Sequence, residues 1–360
     1  MKFKNIFLIL ALSLAFTACN NNKDMANDDK KVTSDENTTN ANEKEEKSTI
    51  YASFYPIYNL TKQIAGDKFE VKSFTNLKTE SHDWEPSAKD MAEVSKAKLM
   101  FINGAGMEEW EDSLKNSSDI ELVNTSKDID LIKSSEEDHH DHDHDNEDTD
   151  HDHDHEHEDA DHDEDQDHDE DHDHENANEE HHHHHGQYDP HLWLSPKNAI
   201  SQAKVIAEKL SEIDPSNKDY YMDNFKKIED ELEALIAEYK EKFDGCENKN
   251  FLVNHKAFSY LAKDFSLNQI ALTSLTSTEE TDAKTLKDAS LKAKELNIKT
   301  IFYEMGSSDK NAKTLADEIG ADTKPLNTLE LATDENIKND TTYQELVREN
   351  LEAIYQSLEK

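Results

Sequence analysis

Nitrogen and oxygen donors carry the chemistry open to this 360-residue chain, in which 20 histidines and 82 acidic residues stand against two cysteines. The histidines divide sharply. Seventeen fall between His139 and His185, and only His82, His191 and His255 lie outside that stretch. Imidazole and carboxylate together suit a divalent transition metal, and zinc takes four such donors at about 2.0–2.2 Å. With Cys19 and Cys246 alone, a thiolate cluster is excluded. One histidine on a folded chain is ordinarily a bland surface or core residue. Three that each sit at a junction between elements read jointly as one metal site. His82 lies in TESHDWEPSAKD, between a strand and a helix, and His191 lies in YDPHLWLSP, where Pro190 and Pro196 hold a turn before a helix. His255 directly follows FLVN and opens a helix. Ligands of open α/β sheets collect beyond the carboxyl ends of strands, and two of the three histidines take that position.

The other seventeen need a different account. From Ser134 to Gly186 the sequence alternates Asp or Glu with His and offers no apolar anchor except two isolated alanines. Such a composition cannot bury enough surface to fold, so the expectation is a disordered insert with many weak metal sites. The candidate metal-gathering positions are His139, His140, His142, His144, His151, His153, His155 and His157, followed by the run His181, His182, His183, His184 and His185. Each must order the chain as it binds, so affinity per ion is modest and exchange fast. Protonation removes these sites stepwise below about pH 6.5. The bland alternative is a solvating acidic loop that takes divalent cations without preference. Residues 136–180 hold 26 acidic residues and no Lys or Arg, which leaves about −17 of the formal −43 to the rest of the chain. The acidity is local, and it argues against nucleic acid as a partner.

The elements that position the three histidines follow from the pattern on either side of the insert. TIYASF (49–54), FEVKSF (69–74), KLMFIN (98–103) and IELVN (120–124) read as strands, with helices over 56–66 and 87–97 between them. Strands alternating with short helices indicate βα units and a parallel sheet. The second half repeats the alternation: strands FLVN (251–254), QIALTS (269–274), KTIFYE (299–304) and 323–326, helices over 256–265, 285–297, 312–320 and 342–358. Between the halves, Tyr221, Phe225, Ile228, Leu232, Leu235, Tyr239 and Phe243 step by three or four along residues 217–243. That stripe marks one long helix, roughly 40 Å at 1.5 Å per residue. The fold class is therefore α/β: two lobes, each with a central, mainly parallel sheet flanked by helices, joined by one linking helix.

Four segments resemble, in order, those of the cluster A-I (group 9) metal-binding solute-binding lipoproteins of ABC importers, and specifically their zinc branch. SHDWEPSAKDMAEVSKAKLMFINGAGMEEW is similar to the family's first ligand segment, DPHLWLSPKNA to the second, NHKAFSYLAKDFSL to the third and LNTLELAT (326–333) to the fourth. The resemblance covers residues 49–360, and a His- and Asp-rich insert before the second segment is typical of zinc-importing members. It implies Zn2+ in a cleft between lobes, with His82 and His191 supplied by the N-terminal lobe and His255 and Glu330 by the C-terminal one. Asp83, Glu85, Glu304 or water stand as alternatives to Glu330. Manganese prefers more oxygen donors, so a histidine at position 255 favours zinc over a manganese receptor of the same family. Trp84, Trp110 and Trp193 either line the cleft or belong to the core.

The amino terminus fits the same picture. Residues 1–19 read as a lipoprotein signal peptide with Cys19 as the lipidation site, and 20–48 as a disordered tether. The expected division continues with an N-terminal lobe over 49–215 containing the insert 134–186, a linking helix over 216–245 and a C-terminal lobe over 246–360. The expected protein is an extracytoplasmic, membrane-anchored, monomeric receptor that hands Zn2+ to an ABC permease and its ATPase. It is not expected to be an enzyme, since no HExxH helix and no motif-placed general base is present. The remaining rival is a surface zinc-storage or adhesion protein in which the insert is the main function.

Overall fold

The computed structural model describes residues 47–78, 81–82, 84–134, 187–273 and 283–359. The signal peptide, Cys19, Asp83 and the gathering histidines from His139 to His185 lie outside the described residues.

The first half runs β1 (Thr49–Ala52), α1 (Tyr55–Ala65), β2 (Glu70–Ser73), α2 (Ala88–Val94), β3 (Leu99–Ile102), α3 (Glu111–Ser117) and β4 (Glu121–Asn124). Two long helices follow, α4 (Pro196–Ile213) and α5 (Lys218–Asp244). The second half runs β5 (Asn250–His255), α6 (Ser259–Phe265), β6 (Asn268–Thr273), α7 (Ala283–Glu295), β7 (Thr300–Glu304), α8 (Lys310–Ile319), β8 (Asp322–Leu326), α9 (Asp334–Asn339) and α10 (Tyr343–Leu358). Each half closes a four-stranded parallel sheet, ordered β2-β1-β3-β4 and β6-β5-β7-β8. The two orders are the same, although the halves share no evident sequence. No helix among the described residues is long and apolar enough to cross a membrane.

Local chemistry explains where the elements stop. Pro56 lies in the first turn of α1, where its missing N–H costs nothing. Gly66 ends that helix at φ +55°, and a Cβ there would fall 2.0 Å from the Tyr220 hydroxyl. Ser87 and Asp90 form a reciprocal capping box that starts α2 immediately after the His82 segment. The helix after His255 begins at Ser259 rather than at Lys256. Ala257 N–H donates to the His255 carbonyl and Phe258 N–H to the Gln269 side chain, so these donors face away from a helical ladder.

All seven residues of the α5 stripe are buried, and α5 packs on α4 and α10. They belong to a hydrophobic cluster that also takes Ile50 and Phe101 from the first sheet and Phe251 and Phe302 from the second. At roughly 1.5–3 kcal/mol per large apolar side chain buried, this stripe ties both sheets to one helix. The lobes share a core.

Candidate metal centre

Two loops and the carboxyl end of β5 bring the isolated histidines together. The Nε2 atoms of His82 and His191 lie 2.9 Å apart. The ring centroids of His255 stand 4.8 Å from His191 and 5.9 Å from His82. One nitrogen from each ring falls within 4.8 Å of the others. Donors about 2.0–2.1 Å from one tetrahedral ion sit roughly 3.3 Å from each other, so the rings already converge on a common point. His191 is fully buried, His255 is 9% exposed and the His82 side chain 14%.

Carboxylates stand behind two of the rings. Asp189 Oδ1 accepts from both the backbone N–H and Nδ1 of His191, each at 2.9 Å, which turns Nε2 toward the centre. Glu304 Oε2 lies 3.4 Å from Nδ1 of His255, while its Oε1 accepts from the Thr328 hydroxyl at 2.8 Å. Such outer carboxylates fix the tautomer and raise the basicity of a metal-binding imidazole. Burial works to raise the Glu304 pKa, but the hydrogen bonds from His255 and Thr328 win and hold it below the ordinary value. Glu330 is buried on the far side. Its Oε2 accepts from Ser81 N–H at 3.0 Å and its Oε1 lies 3.9 Å from His82 Nε2. Leu329 and Leu77 both adopt left-handed backbone at φ +61°, an uncommon conformation for leucine. Leu77 O accepts from Ala332 N–H at 2.9 Å, stitching the His82 loop to the Glu330 loop.

The electrostatics favour neutral rings. Burial, reinforced by the two neighbouring imidazoles, pushes the His82 pKa well below its usual value. Burial lowers His191 as well, against the opposing pull of Asp189. Neutral imidazole is the form that binds metal.

Not every sequence expectation lands here. Glu85 is exposed. Trp84 and Trp110 pack edge-on against Phe74 in a small apolar cluster, 5.0 and 4.7 Å between centroids. Trp193 is fully buried behind His191, and its Nε1 donates to the Thr328 carbonyl at 2.7 Å. Asp189 went unrecognised in the sequence, yet an acidic residue two positions before a candidate ligand, in a proline-held turn, is a readable signal. Tyr260, which touches the same turn, carries no such signal.

Residues 50–357 match the family of ZnuA, the periplasmic zinc-uptake complex component A. The chain belongs to that family. The high-affinity zinc uptake system protein ZnuA of Bacillus subtilis is 34% identical over 360 residues, 99% of this chain and 98% of that protein. The zinc-binding lipoprotein AdcA of Streptococcus pneumoniae is 32% identical over 325 residues, 89% of this chain, which spans only 58% of AdcA. Among solved structures, the laminin-binding protein Lmb of Streptococcus agalactiae, described as bifunctional with adhesin and metal-transporting activity, superposes with a TM-score of 0.68 at 30% identity. That match covers 86% of this chain and 99% of Lmb. Two-lobed architecture and zinc, rather than manganese, are thus the properties of the ZnuA family to which this chain belongs.

Proposed function

We propose that this ZnuA-family chain captures one Zn2+ between its lobes through His82, His191, His255 and Glu330 and delivers it to an ABC permease and its ATPase. The observation that carries the reading is the convergence of three largely buried imidazoles on one point, two of them backed by carboxylates. Glu330 is preferred as the fourth donor because Glu304 faces the Nδ1 edge of His255 and is engaged by Thr328. Glu330 instead approaches the Nε2 edge of His82. Three neutral imidazoles and one carboxylate leave the bound ion net positive, and Asp189 and Glu304 offset the remainder from behind.

Four protein donors leave no open coordination position, which a catalytic zinc keeps for water, so the reading is a receptor and not an enzyme. The chain would act as a monomer outside the cell membrane, anchored through lipid on Cys19, with the histidine tract gathering zinc near the cleft. The shared core on α5 opposes wide hinge opening. Release would then begin at His82, the most exposed of the three rings, which has no carboxylate behind it among the described residues.

Competitive zinc titration of the metal-free protein tests this, beside His82→Ala, His255→Ala and Glu330→Gln. One tight site, greatly weakened in both alanine variants, supports the assignment. Normal binding by either one overturns it. Normal binding by Glu330→Gln alone leaves the three imidazoles in place and returns the fourth position to water or Glu304.

A further inference from the structure

His191 and His255 come from different lobes, so something must set their separation before any metal arrives. A phenol links the segments that carry them. Tyr260 is buried on the first turn of α6, five residues beyond His255. Its hydroxyl donates to the Asp189 carbonyl at 2.8 Å and accepts from Ile132 N–H at 3.0 Å. Asp189 N–H in turn donates to the Ile132 carbonyl at 2.9 Å, closing a ring of three hydrogen bonds around the phenolic oxygen. The carboxylate of the same Asp189 holds Nδ1 of His191. On the other side, the tight turn at Ala257 fixes the start of α6 relative to His255.

We propose that Tyr260 is a positioning residue for zinc capture, its phenol holding the Asp189–His191 turn at a set reach from His255. This rests on reading those two histidines as zinc ligands. The chain of contacts runs His255, α6, Tyr260 Oη, Asp189, His191, and every link after the helix is a hydrogen bond of 2.8–2.9 Å. Burial pushes the Tyr260 phenol up to about 12, so it keeps the proton it donates across the physiological range. The oxygen uses both its donor and its acceptor capacity, which makes the clasp directional rather than merely adhesive. A zinc ion joining His191 to His255 closes the same loop from its opposite side. Clasp and metal therefore stabilise one another.

Tyr260→Phe keeps the ring and removes only the hydroxyl. The comparison protein is Tyr239→Phe, which loses a part-buried phenol bond from α5 to Glu352 on α10, away from the histidines. The expected result is zinc binding weakened about tenfold to a hundredfold, the range seen when outer partners of metal ligands are lost. The ligand-field spectrum of the Co2+-loaded protein should change too, whereas Tyr239→Phe matches the parent in both. If Tyr260→Phe melts earlier but binds zinc and shows the cobalt spectrum of the parent, the hydroxyl is only structural and the proposal fails. In the unmodified protein, zinc should slow amide exchange at Ile132, whose N–H the phenol accepts. Unchanged exchange there also overturns it, with no dependence on how the variant folds. His255→Ala run alongside separates the two ideas: normal zinc binding by that variant removes the site assignment itself.

Discussion

Replacing residues 135–186 with Asn-Gly should leave the tight zinc site intact and raise the stability of the metal-free protein. The geometry at the ends of the tract motivates the design. Lys133 and Tyr188 form an antiparallel bridge, Ser134 N–H donates to the Gln187 carbonyl at 3.1 Å, and Asp189 N–H returns to the Ile132 carbonyl at 2.9 Å. Ser134 and Gln187 are therefore positioned as the closing pair of a hairpin, and Asn-Gly is the two-residue turn whose twist suits one. The insert is 52 residues long, and the cost of closing a loop grows by about 0.6 kcal/mol per doubling of length. Shortening it to two residues is between four and five doublings, a gain of roughly 2 kcal/mol after allowing for the stiffness of a tight turn. Removing 26 acidic residues lowers self-repulsion in the same direction. The melting temperature of the metal-free protein should rise by a few degrees. Isothermal titration against a competing chelator should show one tight site in both proteins, and additional weak sites only in the parent. Loss of the tight site would mean that the tract supplies a ligand. A fall in melting temperature would mean that the tract packs on the fold, and either result refutes the reasoning.

Acid should separate the two classes of site. Imidazole in water titrates near pH 6.5, whereas burial holds His82 and His191 lower. Dialysis at pH 5.5 should strip the weak zinc first, and simultaneous loss from both sites would contradict the buried geometry. Stability of the metal-free protein should fall in the same range. As pH drops below about 6.5, the unfolded chain protonates these two histidines while the native state resists, so the native state binds fewer protons and stability declines. Each contributes up to about 1.4 kcal/mol per pH unit until its folded pKa is reached. Denaturant titrations between pH 7 and 5 measure the slope, and His82→Gln should flatten it. Finally, Asp189→Asn keeps an acceptor for His191 but removes the charge, and should weaken zinc binding about tenfold to a hundredfold. Unchanged affinity in a competition titration would show that the carboxylate does not tune the ring.

What the chain discloses in advance, and what it withholds, follows from the range of the interactions involved. The α5 stripe is legible because one helix face repeats its burial every three or four residues, and all seven side chains named from that spacing are buried. The alternation of strands and helices is legible for the same local reason, whereas α3 and α9 are short and bury little, so no periodicity announces them. Strand order lies beyond local pattern, because nothing in TIYA or NFLVNH states which neighbour each will pair with. At the site, scarcity does the work: only three histidines lie outside the tract, and the folding of two parallel sheets must bring strand-end loops to one face. The supporting groups have no such scarcity. Asp189 and Glu304 are two acidic residues among 82, and Tyr260 is one of 11 tyrosines. Tyr260 and Glu304 act through contacts between separate segments, with Asp189 and with His255, and only Asp189, two positions before His191, leaves a local trace. A donor set can be read from residue type and placement. The groups that aim it are defined by tertiary distance, and it is they that decide whether three imidazoles hold zinc tightly or only attract it.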